Sequence, residues 1–103
     1  MTSAIATLSA LADPVRIEIM DRISSGTHTT STQLAQVIPI TRQAVGKHLK
    51  TLETVGLVAR RQQGREQLYS IDLRPVHEVV AWLGQRESSW DDALGRLKRH
   101  LEG

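Results

Sequence analysis

Residues 41–58 read TRQAVGKHLKTLETVGLV, and this stretch predicts a helix that begins at a capping threonine and ends at a glycine. Thr41 offers a side-chain oxygen to the first turn, and Gly56 suits the position just after the last turn. Apolar residues recur at helical spacing along one side, at Val45, Leu49 and Leu52. We expect this side to face a core and the opposite side to face outward.

The outward side of this helix is basic. No acid occurs among residues 41–52, and the outward residues are Arg42, Gln43, Gly46, Lys47, Lys50 and Thr54. Most charged helix faces are simply solvated, but such faces usually mix signs in i,i+4 pairs. Residues 22–65 hold seven bases and one acid (net +6), and the remainder holds six bases and ten acids (net −4), which gives the total of +2. This imbalance predicts a middle third that contacts a polyanion.

A short helix is predicted just before this one. The run Thr30-Ser31-Thr32-Gln33 has the form of a capping box, and Pro39 would end the helix that follows it. Two short amphipathic helices separated by Pro39 and Ile40 form a helix-turn-helix over about residues 30–55. Upstream, the pattern predicts helices over Ser3–Leu11 and from Pro14 to about Ser24, the second capped by Asp13.

After Gly56 the pattern changes to that of a β-hairpin over about residues 57–71. Leu57–Gln62 and Glu66–Ile71 read as strands, and Gln63-Gly64-Arg65 reads as the turn between them. Three bases are expected near the tip of this wing, where they would contact a phosphate backbone: Arg60, Arg61 and Arg65.

From Pro75 to about residue 102 the sequence predicts one long helix. Apolar residues recur at alternating steps of four and three, with a polar interruption at Glu87. An ordinary amphipathic helix packed on its own domain is the alternative, and Ser88-Ser89 could interrupt it. We expect pairing with a second copy, with the first helix alongside, through an interface of Ile5, Leu8, Val80, Leu83, Trp90, Leu94, Leu97 and Leu101.

Composition limits the remaining classes. The 103 residues, 40% apolar and 23% charged, predict a single globular domain over residues 1–103. The absence of cysteine excludes disulfides and thiolate metal ligands. No leader-like or membrane-spanning run is apparent, which favours the cytoplasm. No Gly-rich phosphate loop, nucleophile elbow or apolar carboxylate pair is present, so we expect neither an enzyme nor a cofactor.

Residue types on the basic face match those that recognise double-stranded DNA. Arg42, Gln43 and Lys47 lie in the half of a recognition helix that meets base edges. We expect Thr41, Lys50 and the three wing arginines to contact phosphates of the DNA backbone. His48 would either contact a phosphate or fill space. No metal site is expected along one helix, although His77 could meet Asp91, Asp92 or His100 of a second chain.

Three segments carry a family resemblance: ALADPVR at residues 10–16, AVGKHLKTLETVGLV at 44–58 and GREQLYSID at 64–72. In this order and spacing the chain resembles the ArsR/SmtB family of winged helix-turn-helix repressors. The resemblance implies a homodimer joined through its first and last helices that binds a near-palindromic operator and represses transcription. The metal-sensing members carry a cysteine pair in the third helix or paired ligands on the last.

Neither metal-ligand pattern occurs here, so the chain resembles the branch without a recognisable metal site, whose inducer the sequence does not identify. Members commonly have Ser where Gly46 stands and Arg where Lys47 stands. Two rivals stay open: a metal- or ligand-responsive sensor of the same fold, and a winged-helix module that binds protein or RNA.

Overall fold

The structure is a computed structural model that describes residues 3–27 and 29–102. It is mainly helical with one antiparallel hairpin, as the sequence predicts. In chain order the elements are α1 (Ala4–Leu11), α2 (Pro14–Ser24), α3 (Ser31–Val37), α4 (Arg42–Thr54), β1 (Val58–Gln63), β2 (Glu66–Ile71) and α5 (Arg74–Glu102).

Side-chain caps fix where the first four helices begin. Ser3, Asp13, Thr30 and Thr41 each accept a backbone N–H of the following turn, which satisfies donors that have no partner within the helix. The capping box before α3 is confirmed, because the Gln33 side chain also accepts the N–H of Thr30 at 3.1 Å.

The predicted end of α4 at Gly56 is confirmed as well. The N–H of Gly56 donates to the Glu53 carbonyl at 3.0 Å, and the N–H of Leu57 donates to the Leu52 carbonyl at 2.9 Å. Gly56 has a φ of +82°. This pair of bonds around a left-handed residue is a Schellman motif, which ends the helix and directs the chain into β1.

One apolar core holds α2, α3, α4 and the base of the hairpin together. Its fully buried side chains come from all four parts: Ile19, Leu34, Ile38, Val45, Leu49, Leu52 and Leu57. The predicted inward face of α4 is therefore correct. Because α3 and α4 share this core, the helix-turn-helix is a rigid unit whose outer face is fixed in space.

The hairpin differs slightly from its prediction. Its pairs run from Val58↔Ile71 to Gln63↔Glu66, so the loop has two residues, Gly64 and Arg65, rather than three. Gly64 has a φ of +61°, which the first position of a tight two-residue turn requires. The N–H of Tyr69 donates to the Thr29 carbonyl at 2.8 Å, which ties β2 to the segment before α3.

Helix α5 is uninterrupted over 29 residues, about 44 Å, so the predicted weak point at Ser88-Ser89 does not break it. It begins at Arg74, one residue before the predicted start. Its buried residues within the described part of the chain, Pro75 and Val79, both lie in the first two turns. Its later turns extend outward and give the protein a length of 68 Å against widths of 28 and 21 Å. No helix in the described ranges has the length and apolarity to cross a membrane.

Candidate nucleic-acid interface

Helix α4 presents the polar face that the sequence predicts. Arg42, Gln43, Lys47 and Lys50 are all exposed. Among the residues that the structure describes, no carboxylate lies within ion-pairing distance of the three cations. Their positive charge is therefore directed at solvent and available to an anionic partner.

The exposed residues of α4 divide between two sides of the helix. At 3.6 residues per turn, Gln43 and Lys47 fall opposite the buried Val45, at the centre of the exposed face. Lys50 falls next to them on the side of the wing. Arg42 falls nearer the buried side, where it lines a cleft with α3 and the wing tip. The structure thus separates Arg42 from the other two predicted base-reading residues.

Thr41 acts as the cap that the sequence predicts. Its hydroxyl oxygen accepts the N–H of Ala44 at 3.0 Å. That bond does not use the hydroxyl hydrogen, which could still be donated to a phosphate. The phosphate contact at Thr41 stays a prediction.

His48 lies between the buried and the exposed side of α4. It is half-buried, and its Nδ1 lies 3.2 Å from Nη1 of Arg16. Because a guanidinium can only donate, Nδ1 must accept, which places the proton of a neutral imidazole on Nε2. Of the two roles that the sequence left open, the observed contact supports the internal one.

Arg16 is a residue that the sequence alone does not single out. Its Nε donates to the Ala10 carbonyl at 2.5 Å, its Nη2 reaches the Ser9 carbonyl at 3.4 Å, and its Nη1 lies 3.5 Å from Asp13. The Arg16 backbone N–H donates to the Asp13 carboxylate and lowers the pKa of that carboxyl. Arg16 therefore joins the end of α1, the start of α2 and, through His48, the recognition helix α4.

The three wing arginines do not form one cluster at the tip. Adjacent residues of a strand point to opposite faces, so Arg60 and Arg61 diverge, and only Arg65 belongs to the turn. Arg60 faces α4, where its Nε lies 3.2 Å from the Glu53 carboxylate and its Nη1 donates to Gln67 at 3.2 Å. The prediction that Arg60 lies at the tip is wrong, because Arg60 pairs with Tyr69, the fourth pair from the turn; its contact with DNA stays a prediction.

Two depressions run along the wing side of α4. One, of about 290 Å³, is lined by Gly46, Lys50, Glu53, Arg60 and Tyr69. The other, of about 480 Å³, lies between the starts of α3 and α4 and the wing tip, and it includes Arg42 and Arg65. Cations of the helix and of the hairpin thus share the walls of the same two depressions.

A separate apolar surface covers α1 and the outer turns of α5. Most of the predicted interface residues are largely exposed, with Trp90 62% and Leu101 76% accessible. The same surface includes Ile5, Val80, Leu83, Leu94 and Leu97, while Leu8 is half-buried. Exposed apolar surface of this extent on one side of a helix is typical of an interaction site.

The α5 residues considered as metal ligands stand apart in a single chain. His77 and His100 are exposed and about 35 Å apart along the helix. Over residues 3–27 and 29–102, no three His, Asp or Glu side chains come together as a metal site would require. An arrangement shared between subunits, with Asp91 or Asp92, stays a hypothesis.

Comparisons with known sequences agree with this geometry. A family model described as "Helix-turn-helix domain" matches residues 11–61. HTH-type transcriptional regulator Rv2034 of Mycobacterium tuberculosis is 40% identical over 63 residues, covering 61% of this chain and 58% of that protein. The uncharacterized HTH-type transcriptional regulator YuzN of Bacillus subtilis is 31% identical over 85 residues, covering 76% of this chain and 92% of that protein.

Comparisons with solved structures extend the likeness to nearly the whole fold. An ArsR-like transcriptional regulator from Rhodococcus sp. RHA1 has a TM-score of 0.81 and 29% identity, covering 93% of this chain and 90% of that chain. The homodimeric winged helix-turn-helix domain of Mb0332 from Mycobacterium bovis has a TM-score of 0.62 and 22% identity, covering 89% and 82%. The second likeness concerns the fold alone.

Proposed function

Because the chain belongs to the ArsR family of winged helix-turn-helix transcriptional regulators, we propose that it is a homodimeric repressor that reads a near-palindromic operator in double-stranded DNA. The observation that carries the proposal is the exposed side of α4, where Gln43, Lys47 and Lys50 face solvent and neither lysine forms an ion pair with a carboxylate of the described residues. Repression would follow from occupying the DNA that the transcription machinery needs.

Base reading is assigned to the centre of that face. The amide of Gln43 can form a bidentate pair with adenine, and the ammonium of Lys47 can donate to guanine O6 and N7. Lys50 lies one turn further toward the wing, where the backbone of the same groove would pass, so it is assigned to phosphate. Arg61 and Arg65 reach outward from the hairpin and suit the neighbouring backbone.

Arg60 has a weaker claim to DNA than the other wing arginines. Its ion pair with Glu53 at 3.2 Å already neutralises its charge. We assign this pair the task of holding the wing at a fixed distance from α4, since it joins the last turns of the helix to β1. Glu53 is thus a positioning residue, and it is also the one acid among residues 22–65.

The homodimer is proposed from the apolar surface of α1 and α5. A monomer would leave Trp90 and four outer leucine and valine positions more than half exposed to water, among them Val80 and Leu101. A second copy related by a two-fold axis presents the same surface, so each copy can cover the other. The Mycobacterium bovis domain of the same fold is homodimeric. A two-fold dimer would place two α4 helices on successive major grooves, about 34 Å apart.

The DNA-binding part is tested by titrating the protein into a fluorescent duplex from its own upstream region and into a scrambled duplex. At ~150 mM salt we expect a preference of ~10³ or more for the first. Lys50→Ala should weaken binding to both duplexes and reduce the salt slope by about 1. Gln43→Ala should change which sequence is preferred. Equal binding of the wild type to both duplexes would contradict sequence-specific recognition.

A matched control for Lys50→Ala is Lys98→Ala. Both variants lose one exposed lysine, but Lys98 lies on α5, far from the recognition helix. If binding depends on local phosphate contacts, only Lys50→Ala should reduce affinity substantially. Equal reductions would mean that net charge, and not the face of α4, determines affinity.

The dimer is tested with two leucine-to-glutamine variants. Leu97 and Leu73 are similarly accessible, at 53% and 50%, but only Leu97 lies on the α5 surface proposed as the interface. At fixed protein concentration, sedimentation should show that Leu97→Gln shifts the protein from dimer toward monomer and that Leu73→Gln does not. An unchanged dimer in Leu97→Gln, or an equal shift in both variants, would exclude this surface.

A further inference from the structure

The larger of the two depressions is a cleft with polar walls from three elements. It has a volume of about 480 Å³ and opens beside the exposed face of α4. Thr30, Ser31 and Thr32 form the first wall, Arg42 forms the second, and Arg65 and Glu66 of the wing form the third. The two arginines come from positions 23 residues apart, and the fold brings both to one recess.

Neither arginine of this cleft forms an ion pair with a residue that the structure describes. The ion pairs within residues 3–27 and 29–102 involve other residues, and no carboxylate of these ranges lies within 4.0 Å of the guanidinium groups of Arg42 or Arg65. Glu66 is the one acid in the lining. The two cations outnumber it, so the cleft has a net positive charge and favours an anion.

The hydrogen bonds of the first wall leave donors available to the cleft. The hydroxyl oxygen of Thr30 accepts the N–H of Gln33 at 3.1 Å, a bond that does not use the hydroxyl hydrogen. The side-chain oxygen of Gln33, a further lining residue, accepts the N–H groups of Thr29 and Thr30 at 2.9 and 3.1 Å. Its NH₂ group is thereby left to donate. Hydroxyls, an amide and two guanidiniums together suit an oxyanion.

We infer that this cleft clamps one phosphodiester of the DNA backbone between Arg42 and Arg65. Arg42 is then a positioning residue for the recognition helix and not a reader of bases, which revises the role that the sequence suggests. The inference rests on the proposed DNA-binding function. One phosphate gripped by the first turn of α4 and by the wing tip would fix how deeply α4 enters the groove, because phosphate contacts set register while base contacts set sequence.

The first test compares Arg42→Gln with Gln43→Ala on the upstream and scrambled duplexes. Arg42→Gln should weaken binding to both duplexes by the same factor, about tenfold, leaving the preference ratio of the wild type unchanged. Arg96→Gln on α5 removes the same charge away from the cleft and should have little effect. Loss of affinity for the upstream duplex alone would make Arg42 a base reader and overturn the inference.

The second test asks whether the two arginines act on one group. If they grip the same phosphate, the double variant Arg42→Gln/Arg65→Gln should lose much less than the product of the two single losses. A set of upstream duplexes can carry one neutral methylphosphonate each, at successive backbone positions. At one position the substitution should lower the DNA affinity of the wild type and leave that of Arg42→Gln unchanged. Multiplicative losses, or no such position, would refute a shared clamp.

A last arm separates a DNA phosphate from a free anion. If inorganic phosphate binds in the cleft of the wild type, it should weaken DNA binding when it is titrated at constant ionic strength. Saturation of the cleft by phosphate with no change in DNA affinity would assign it to a free anion and overturn the inference. Wild-type protein that binds no duplex at all would instead refute the proposed function, so the two failures are distinguishable.

Discussion

Replacing Arg16 by methionine should destabilise the protein far more than a surface substitution does. Methionine keeps much of the apolar stem but removes every donor, leaving the Ala10 carbonyl at the end of α1 without its partner at 2.5 Å. This bond and the bond to His48 at 3.2 Å both have the charged guanidinium as donor, and at about 1.5 kcal/mol each they are worth about 3 kcal/mol together. The contacts at 3.4 and 3.5 Å are too long to add much. In a domain of about 100 residues this lowers Tm by about 12 °C.

Arg22→Met on the same helix provides the matched control. Arg22 pairs with Glu18 at 3.3 Å, but the two side chains are 39% and 42% exposed, and such pairs are worth at most about 1 kcal/mol. Its Tm should therefore fall by about 4 °C or less. Both variants are melted by circular dichroism at one protein concentration, since dimerisation makes Tm depend on concentration. Equal decreases would refute the view that Arg16 is a structural junction.

Four further substitutions test local features. Gly46→Ala should raise the free energy of unfolding by about 1 kcal/mol, because an added Cβ would meet no atom within 4 Å. Gly64→Ala should lower it by about 1 kcal/mol, because Gly64 has a φ of +61°. Opposite shifts of the urea midpoint in the two variants would confirm this. Leu49→Ala should cost about 2–5 kcal/mol in the same assay, since Leu49 is 1% exposed. Hydrogen bonds from Arg74 lower the pKa of Asp72 to about 2. Folding therefore favours the ionised carboxylate, and its contribution to stability is complete above about pH 4 and lost toward pH 2. Asp72→Asn should make the loss of stability between pH 4 and pH 2 smaller. An unchanged loss would contradict this.

The sequence predicts the helix-turn-helix well because its boundaries are set by neighbouring residues. The Thr30 capping box and the Gly56 stop involve bonds between residues no more than five positions apart. The apolar spacing of α4 is equally local, and every residue that it assigns to the core is buried. Interactions within one or two turns can be read from spacing alone.

Long-range contacts explain what the sequence does not predict. Arg16 meets His48 across 32 positions, and no periodicity links them. Arg60 meets Glu53 across a turn whose direction depends on the Schellman motif. In both cases a residue considered for a DNA contact has a partner within the protein. Charge and spacing therefore identify the basic region, but only the packing distinguishes free cations from paired ones.

The Arg16 junction also bears on how the two proposed functions of the chain are connected. α1 contributes Ile5 to the apolar surface, and Arg16 fastens the end of α1 to α4 through His48. If that surface joins two copies, the distance between their α4 helices depends on this connection. Successive base pairs are about 3.4 Å apart, so a displacement of that size moves a recognition helix by one position. A partly buried arginine with hydrogen bonds to two elements restricts such displacements better than apolar contacts alone, because its bonds are directional. In the proposed dimer, the Arg16 junction would therefore help to keep the spacing of the two recognition helices fixed.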